Sequence, residues 1–95
     1  MKKYSRADEA SLPVFYNHRQ ARLYFKNKHG DNFFMVDSDI LEGEKIYFYH
    51  LVLNQQDYKK GINQLRSSGS VSGLEFMNSY QKIEIWENGN IHMIH

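Results

Sequence analysis

An Asn88-Gly89 pair set between alternating apolar residues constrains this chain more than any other feature. The stretch Tyr80-Gln-Lys-Ile-Glu-Ile-Trp-Glu-Asn-Gly-Asn-Ile-His-Met-Ile-His95 reads as strand, tight turn and strand, because Asn-Gly accepts the left-handed backbone that hairpin loops need. Register then decides which side chains share a face, since a slip of one residue inverts them all. A two-residue loop would set Trp86 opposite Ile91 and Ile85 opposite His92, mixing both faces. A three-residue loop, Glu87-Asn88-Gly89, with Gly89 left-handed in a bulge, pairs Ile85 with Ile91 and Ile83 with Met93. One face is then wholly apolar, while Lys82, Glu84, Trp86, Asn90 and His92 point the other way. The bulged loop is the expected one.

Upstream, Gln20-Ala-Arg-Leu-Tyr-Phe-Lys26 alternates Ala21, Leu23 and Phe25 with Arg22, Tyr24 and Lys26, which is strand periodicity. A turn at His29-Gly30-Asp31 leads to a second strand, Asn32–Val36, and so to an N-terminal hairpin. Asp37–Glu44 reads as a polar connection. Lys45-Ile-Tyr-Phe-Tyr-His-Leu-Val-Leu53 is apolar or aromatic nearly throughout, as expected of a central strand contacted on both faces. Asn54 or Asp57 caps a helix over 58–66, whose Tyr58, Ile62 and Leu65 share one face. Gly61 weakens that helix by about 1 kcal/mol relative to alanine, so packing on the sheet must hold it. Ser5, followed by Asp8 and Glu9, signals a short helix that Pro13 ends. Residues 67–73 read as a flexible connector, and the apolar segment 74–77 is ambiguous between helix and strand. The expected fold is a single α+β domain: about five mostly antiparallel strands, with one amphipathic helix on one face.

Ninety-five residues, 41% of them hydrophobic, suffice for one core. With no cysteine, disulfides, thiolate metal sites and a thiol nucleophile are excluded. No run approaches the roughly 18 apolar residues of a membrane span, and no apolar segment follows the basic start, so a cytoplasmic protein without membrane contact is expected. Charge is uneven. Residues 1–28 carry seven bases against Asp8 and Glu9, and residues 29–57 carry six acids against Lys45. Neighbouring segments of opposite sign are expected to neutralise one another on folding.

The chemistry-bearing residues form no telling pattern. His92 and His95 fall on opposite faces of a strand, His50 stands alone on the central strand, and neither arrangement suggests a metal site. Asp37, Asp39, Glu42 and Glu44 lack the ligand spacing of a calcium loop and read as a solvated acidic connection. Ser67–Gly73 has neither the lysine nor the spacing of a phosphate loop. No nucleophile is paired with a base. The expectation is a non-enzymatic chain without cofactor or metal.

The remaining signal is aromatic. If the long helix covers one sheet face, Tyr24, Tyr47, Tyr49 and Trp86, with one of Phe33 and Phe34, occupy the other, and an uncovered aromatic surface marks an interface. The expected function is protein binding through these residues, as a regulator or inhibitor of a larger protein or as a homodimer. The alternative is nucleic-acid binding, with Arg22, Lys26 and Lys28 holding phosphates beside stacking tyrosines.

Overall fold

The computed structural model describes residues 1–71 and 73–95. A four-stranded antiparallel sheet runs in the order β1 (Phe33–Leu41), β2 (Glu44–Val52), β3 (Tyr80–Trp86), β4 (Ile91–Met93). The helices are α1 (Arg6–Ala10), α2 (His18–His29), α3 (Gln55–Ser68) and α4 (Leu74–Met77), with a single 3-10 turn at Gly30–Asn32 leading into β1. The expected α+β class with an antiparallel sheet holds, with four strands in place of about five.

The C-terminal hairpin has the bulged register. Ile85 pairs with Ile91 and Ile83 with Met93, Gly89 sits at φ 93°, and Trp86 and Asn90 close the loop through a 2.9 Å bond between the Trp86 N–H and the Asn90 carbonyl. Ile83, Ile85 and Met93 are buried, and Ile91 is half-buried.

The segment 20–26 is a correction: it lies in α2, not in a strand. Alternation over seven residues looks like a strand, but His18, Ala21, Phe25 and His29 also fall three or four apart, and that is the stripe the fold uses. Ala21 and Phe25 are fully buried while Leu23 is exposed. Asn17 starts the helix, its side-chain oxygen accepting the Gln20 N–H at 2.8 Å. The N-terminal hairpin is instead β1–β2, because strand structure continues through the presumed connection to Leu41. Its two-residue turn, Glu42-Gly43, has φ of 52° and 82°, both in the left-handed region required by the tight hairpin turn whose twist suits strands.

The two shorter predictions hold. Ser5 and Asp8 form a reciprocal capping box on α1, at 3.0 and 2.9 Å. Asn54 caps α3, and Gly69 ends it in the left-handed conformation. Gly61, unfavourable for a helix on its own, is required by packing. A Cβ there would lie 2.0 Å from Cδ1 of Phe76, so the missing side chain is what lets α4 press against α3.

Two clusters follow. On one sheet face α2 lays Ala21 and Phe25 over Phe33, Tyr49, Leu51, Ile83, Ile85 and Met93. Each of the larger side chains contributes about 1.5–3 kcal/mol relative to exposure. On the other face α3 and α4 bring Tyr58 and Phe76 onto Val52, Phe34 and Tyr80. This second cluster covers one end of that face. Gln81, also buried, ties the N-terminal segment down, its side chain accepting the Tyr4 N–H at 2.8 Å and donating to the Tyr4 carbonyl at 3.0 Å. Among the described residues no buried side-chain nitrogen or oxygen lacks a partner, and no helix is long and apolar enough to cross a membrane.

Candidate protein-interaction face

Strand alternation sorts the aromatic candidates onto different sides. Tyr49 and Tyr47 point toward α2. Tyr49 is 1% exposed; its ring stacks on Phe33 at 4.4 Å, and its hydroxyl lies 2.8 Å from Nε2 of His18. It is a core residue, because the face expected to be open is the one that α2 covers. Tyr47, half-buried, stacks on the His18 ring at 3.6 Å and donates its hydroxyl to Glu87 at 2.6 Å. The His18 N–H donates to the Glu87 carbonyl at 3.0 Å. Together these contacts pin the start of α2 to the C-terminal hairpin loop. Burial holds the His18 imidazole below its ordinary pKa, against the opposing effect of Glu87, so the ring is neutral at pH 7.

Tyr24 lies on α2 itself, packed against Phe15 at 5.2 Å with the Lys28 ammonium 4.8 Å over its ring. Arg22 and Lys28 are exposed on the same helix and Lys26 is half-buried. Trp86 alone of the four aromatic candidates points to the opposite sheet face. The four therefore do not form one surface.

On that opposite face the pairing builds rows across the sheet. Phe34, His50 and Lys82 form one; Asp37, Phe48, Glu84 and His92 the next; Asp39, Ile46 and Trp86 the third. The first row lies beneath α3. There His50 stacks on Tyr80 at 4.2 Å and meets the Tyr58 hydroxyl through Nδ1 at 2.9 Å. Burial, reinforced by Lys82, lowers its pKa to about 4 and keeps it uncharged at neutral pH.

The other two rows lie beyond the second cluster. Phe48 and Trp86 are half-buried, belong to neither core cluster and pair with no other aromatic ring among the described residues. A groove of about 310 Å³ runs here, lined by Val36, Asp37, Phe48, His50, Lys82 and Glu84. Val36, at the bulge where β1 slips against β2, is exposed. Phe48 and Trp86, on adjacent rows, thus share this face with Val36, the carboxylates of Asp37, Asp39 and Glu84, one lysine and His92, which lies 2.9 Å from Glu84.

Both outer strands end the sheet, but they differ. On β4, the Glu9 carboxylate accepts the Met93 N–H at 3.0 Å and meets His95 at 2.7 Å, so α1 closes that edge. Burial opposes ionisation of Glu9, yet these two bonds hold its pKa below the ordinary value. On β1 every residue from Met35 to Leu41 is exposed, with Ile40 at 65% and Met35 at 52%. A nine-residue edge bearing exposed apolar side chains invites association.

The charge expectation also needs correcting. Among the described residues both ion pairs involve histidine, and no lysine or arginine reaches a carboxylate. Folding leaves Arg19, Arg22 and Lys28 of α2 and Asp37, Asp39, Glu42 and Glu44 of the β1–β2 hairpin exposed. No group of three or more potential metal ligands is found among the described residues.

Sequence reasoning found Trp86 and an edge strand at Asn32–Val36, but missed Phe48 and the continuation of β1 through Leu41. The available signal was Leu41-Glu-Gly-Glu44, a two-residue turn between flanking strands with glutamate in place of the usual asparagine or aspartate. Compared with protein-family models, curated proteins and solved structures, the chain matches none.

Proposed function

We propose that this chain is a cytoplasmic, non-enzymatic protein-binding module, acting on a larger protein as a regulator or inhibitor, and that Phe48, Trp86 and the exposed strand β1 form its contact surface. One observation carries the reading: Phe48 and Trp86 are half-buried on a part of the sheet face that belongs to neither core cluster, and the adjoining edge is exposed from Met35 to Leu41. The composition suits a protein partner, because aromatic and aliphatic groups sit at the centre and charged groups at the rim.

Nucleic-acid binding is less well supported. Arg22, Lys26 and Lys28 lie on α2, across the sheet from Phe48 and Trp86, and the latter stand beside carboxylates that repel phosphate. Cytosolic extract passed over the immobilised chain, with and without nuclease and at 50 and 500 mM salt, tests the choice. Retention of a protein through nuclease treatment is expected. Retention lost to nuclease, with a steep decline in salt, would reverse the assignment in favour of nucleic acid.

A further inference from the structure

The outer edge of β1 selects its occupant by charge. Leu41 and Glu44 flank the two-residue turn and so form its closing hydrogen-bonded pair; pairs alternate from there, which turns the N–H groups of Ile40 and Ser38 away from β2. Those donors face outward, and the chain answers them itself. The Asp37 carboxylate accepts the Ser38 N–H and the Asp39 carboxylate accepts the Ile40 N–H, both at 2.7 Å.

A second copy of the chain is a poor occupant. Antiparallel pairing of β1 with itself about Ser38 would set Asp37 opposite Asp39 of the other copy, and like charges directly opposite one another destabilise a sheet. A strand carrying lysine or arginine meets the reverse situation. Its cations engage Asp37 and Asp39, which draws the carboxylates from the Ser38 and Ile40 N–H groups and frees both for the incoming carbonyls. Its apolar side chains, alternating with the cations, fall on the opposite face and meet Met35 and Ile40, both exposed in the free chain.

We propose that β1 accepts an extended segment of a partner protein in which basic and apolar residues alternate. This rests on the protein-binding reading above and names the chemistry of the partner. The acids of the free edge then have a second role: they keep copies of the chain from pairing with one another until a basic strand arrives.

The test is an amide-resolved NMR titration of the full chain with two six-residue peptides, one alternating lysine with valine and the other glutamate with valine. The lysine peptide is expected to shift the amides of residues 35–41 and to slow exchange at Ser38 and Ile40. Its binding should weaken on the order of threefold to tenfold in the Asp37→Asn/Asp39→Asn variant, the loss of two cross-strand charge pairs. Equal binding of the glutamate peptide, or shifts confined to other residues, would overturn the proposal. If the lysine peptide fails while a natural partner still depends on Phe48 and Trp86, the charge rule falls and the protein-binding reading stands. If both fail, the reading falls too.

Discussion

Tyr49→Ala is expected to lower the stability of the chain by about 3–5 kcal/mol, the range for removing a large buried aromatic. The ring is 1% exposed and lies nearly parallel to Phe33, at 5° and 4.4 Å between centroids, with Phe25 stacked in turn on Phe33 at 5.1 Å. Truncation opens a cavity in the larger cluster. Because small domains are stable by only about 5–15 kcal/mol, a substantial unfolded fraction should follow. Tyr49→Phe separates the ring from its hydroxyl and should cost about 1 kcal/mol, the worth of the bond to His18. Urea unfolding of the three proteins at pH 7 measures both differences. A Tyr49→Ala loss below 1 kcal/mol would show that the ring is not part of the core.

Gly89→Ala should be nearly as damaging, by about 2–5 kcal/mol, although only a methyl group is added. Two effects combine. At φ 93° a side chain is strained, a cost of about 1–2 kcal/mol. The added Cβ would also stand 2.4 Å from the Phe15 carbonyl oxygen and 2.8 Å from the Asn17 nitrogen, backbone atoms that cannot rotate aside; overpacking of this kind adds about 1–3 kcal/mol. The hairpin loop and the start of α2 would be forced apart, disturbing the His18 contacts with Glu87. A lowered thermal midpoint, with a changed near-ultraviolet signal from Trp86, is the expected observation. An unchanged midpoint would mean that the loop does not seat against residues 15–17.

Glycine and the apolar pattern made the C-terminal hairpin legible. Asn88-Gly89 fixed the turn, and only the bulged register gave Ile83, Ile85 and Met93 a common buried face, so local and tertiary demands agreed. At residues 20–26 they did not. Ala21, Leu23 and Phe25 satisfy a period of two, whereas the stripe through His18, Ala21, Phe25 and His29 becomes visible only once Asn17 is taken as the cap. That single misreading moved Tyr49 from the core to an imagined surface and left the true cover of the sheet out of the count.

The hairpin tip was hidden for a different reason. Asp37, Ser38 and Asp39 are poor strand formers, and β1 exists because β2 pairs with it along its length. At Gly61, propensity argued against the helix and packing argued for the glycine; the contact with Phe76 decides it, and that contact is not visible in the sequence. Phe48 was read as part of a strand buried on both sides. Its place outside both clusters follows from α3 and α4 packing at the Val52 end, a matter of where helices dock.

Comparing what is retained from cytosolic extract by the wild-type chain, by Phe48→Ser and Trp86→Ser singly and together, and by Arg22→Gln/Lys26→Gln/Lys28→Gln, each first confirmed as folded by circular dichroism, tests the central claim most directly. The wild-type chain and the α2 variant should retain the same protein, and the doubly substituted sheet variant should lose it. Retention by the Phe48/Trp86 double variant, or loss confined to the α2 variant, would contradict the account.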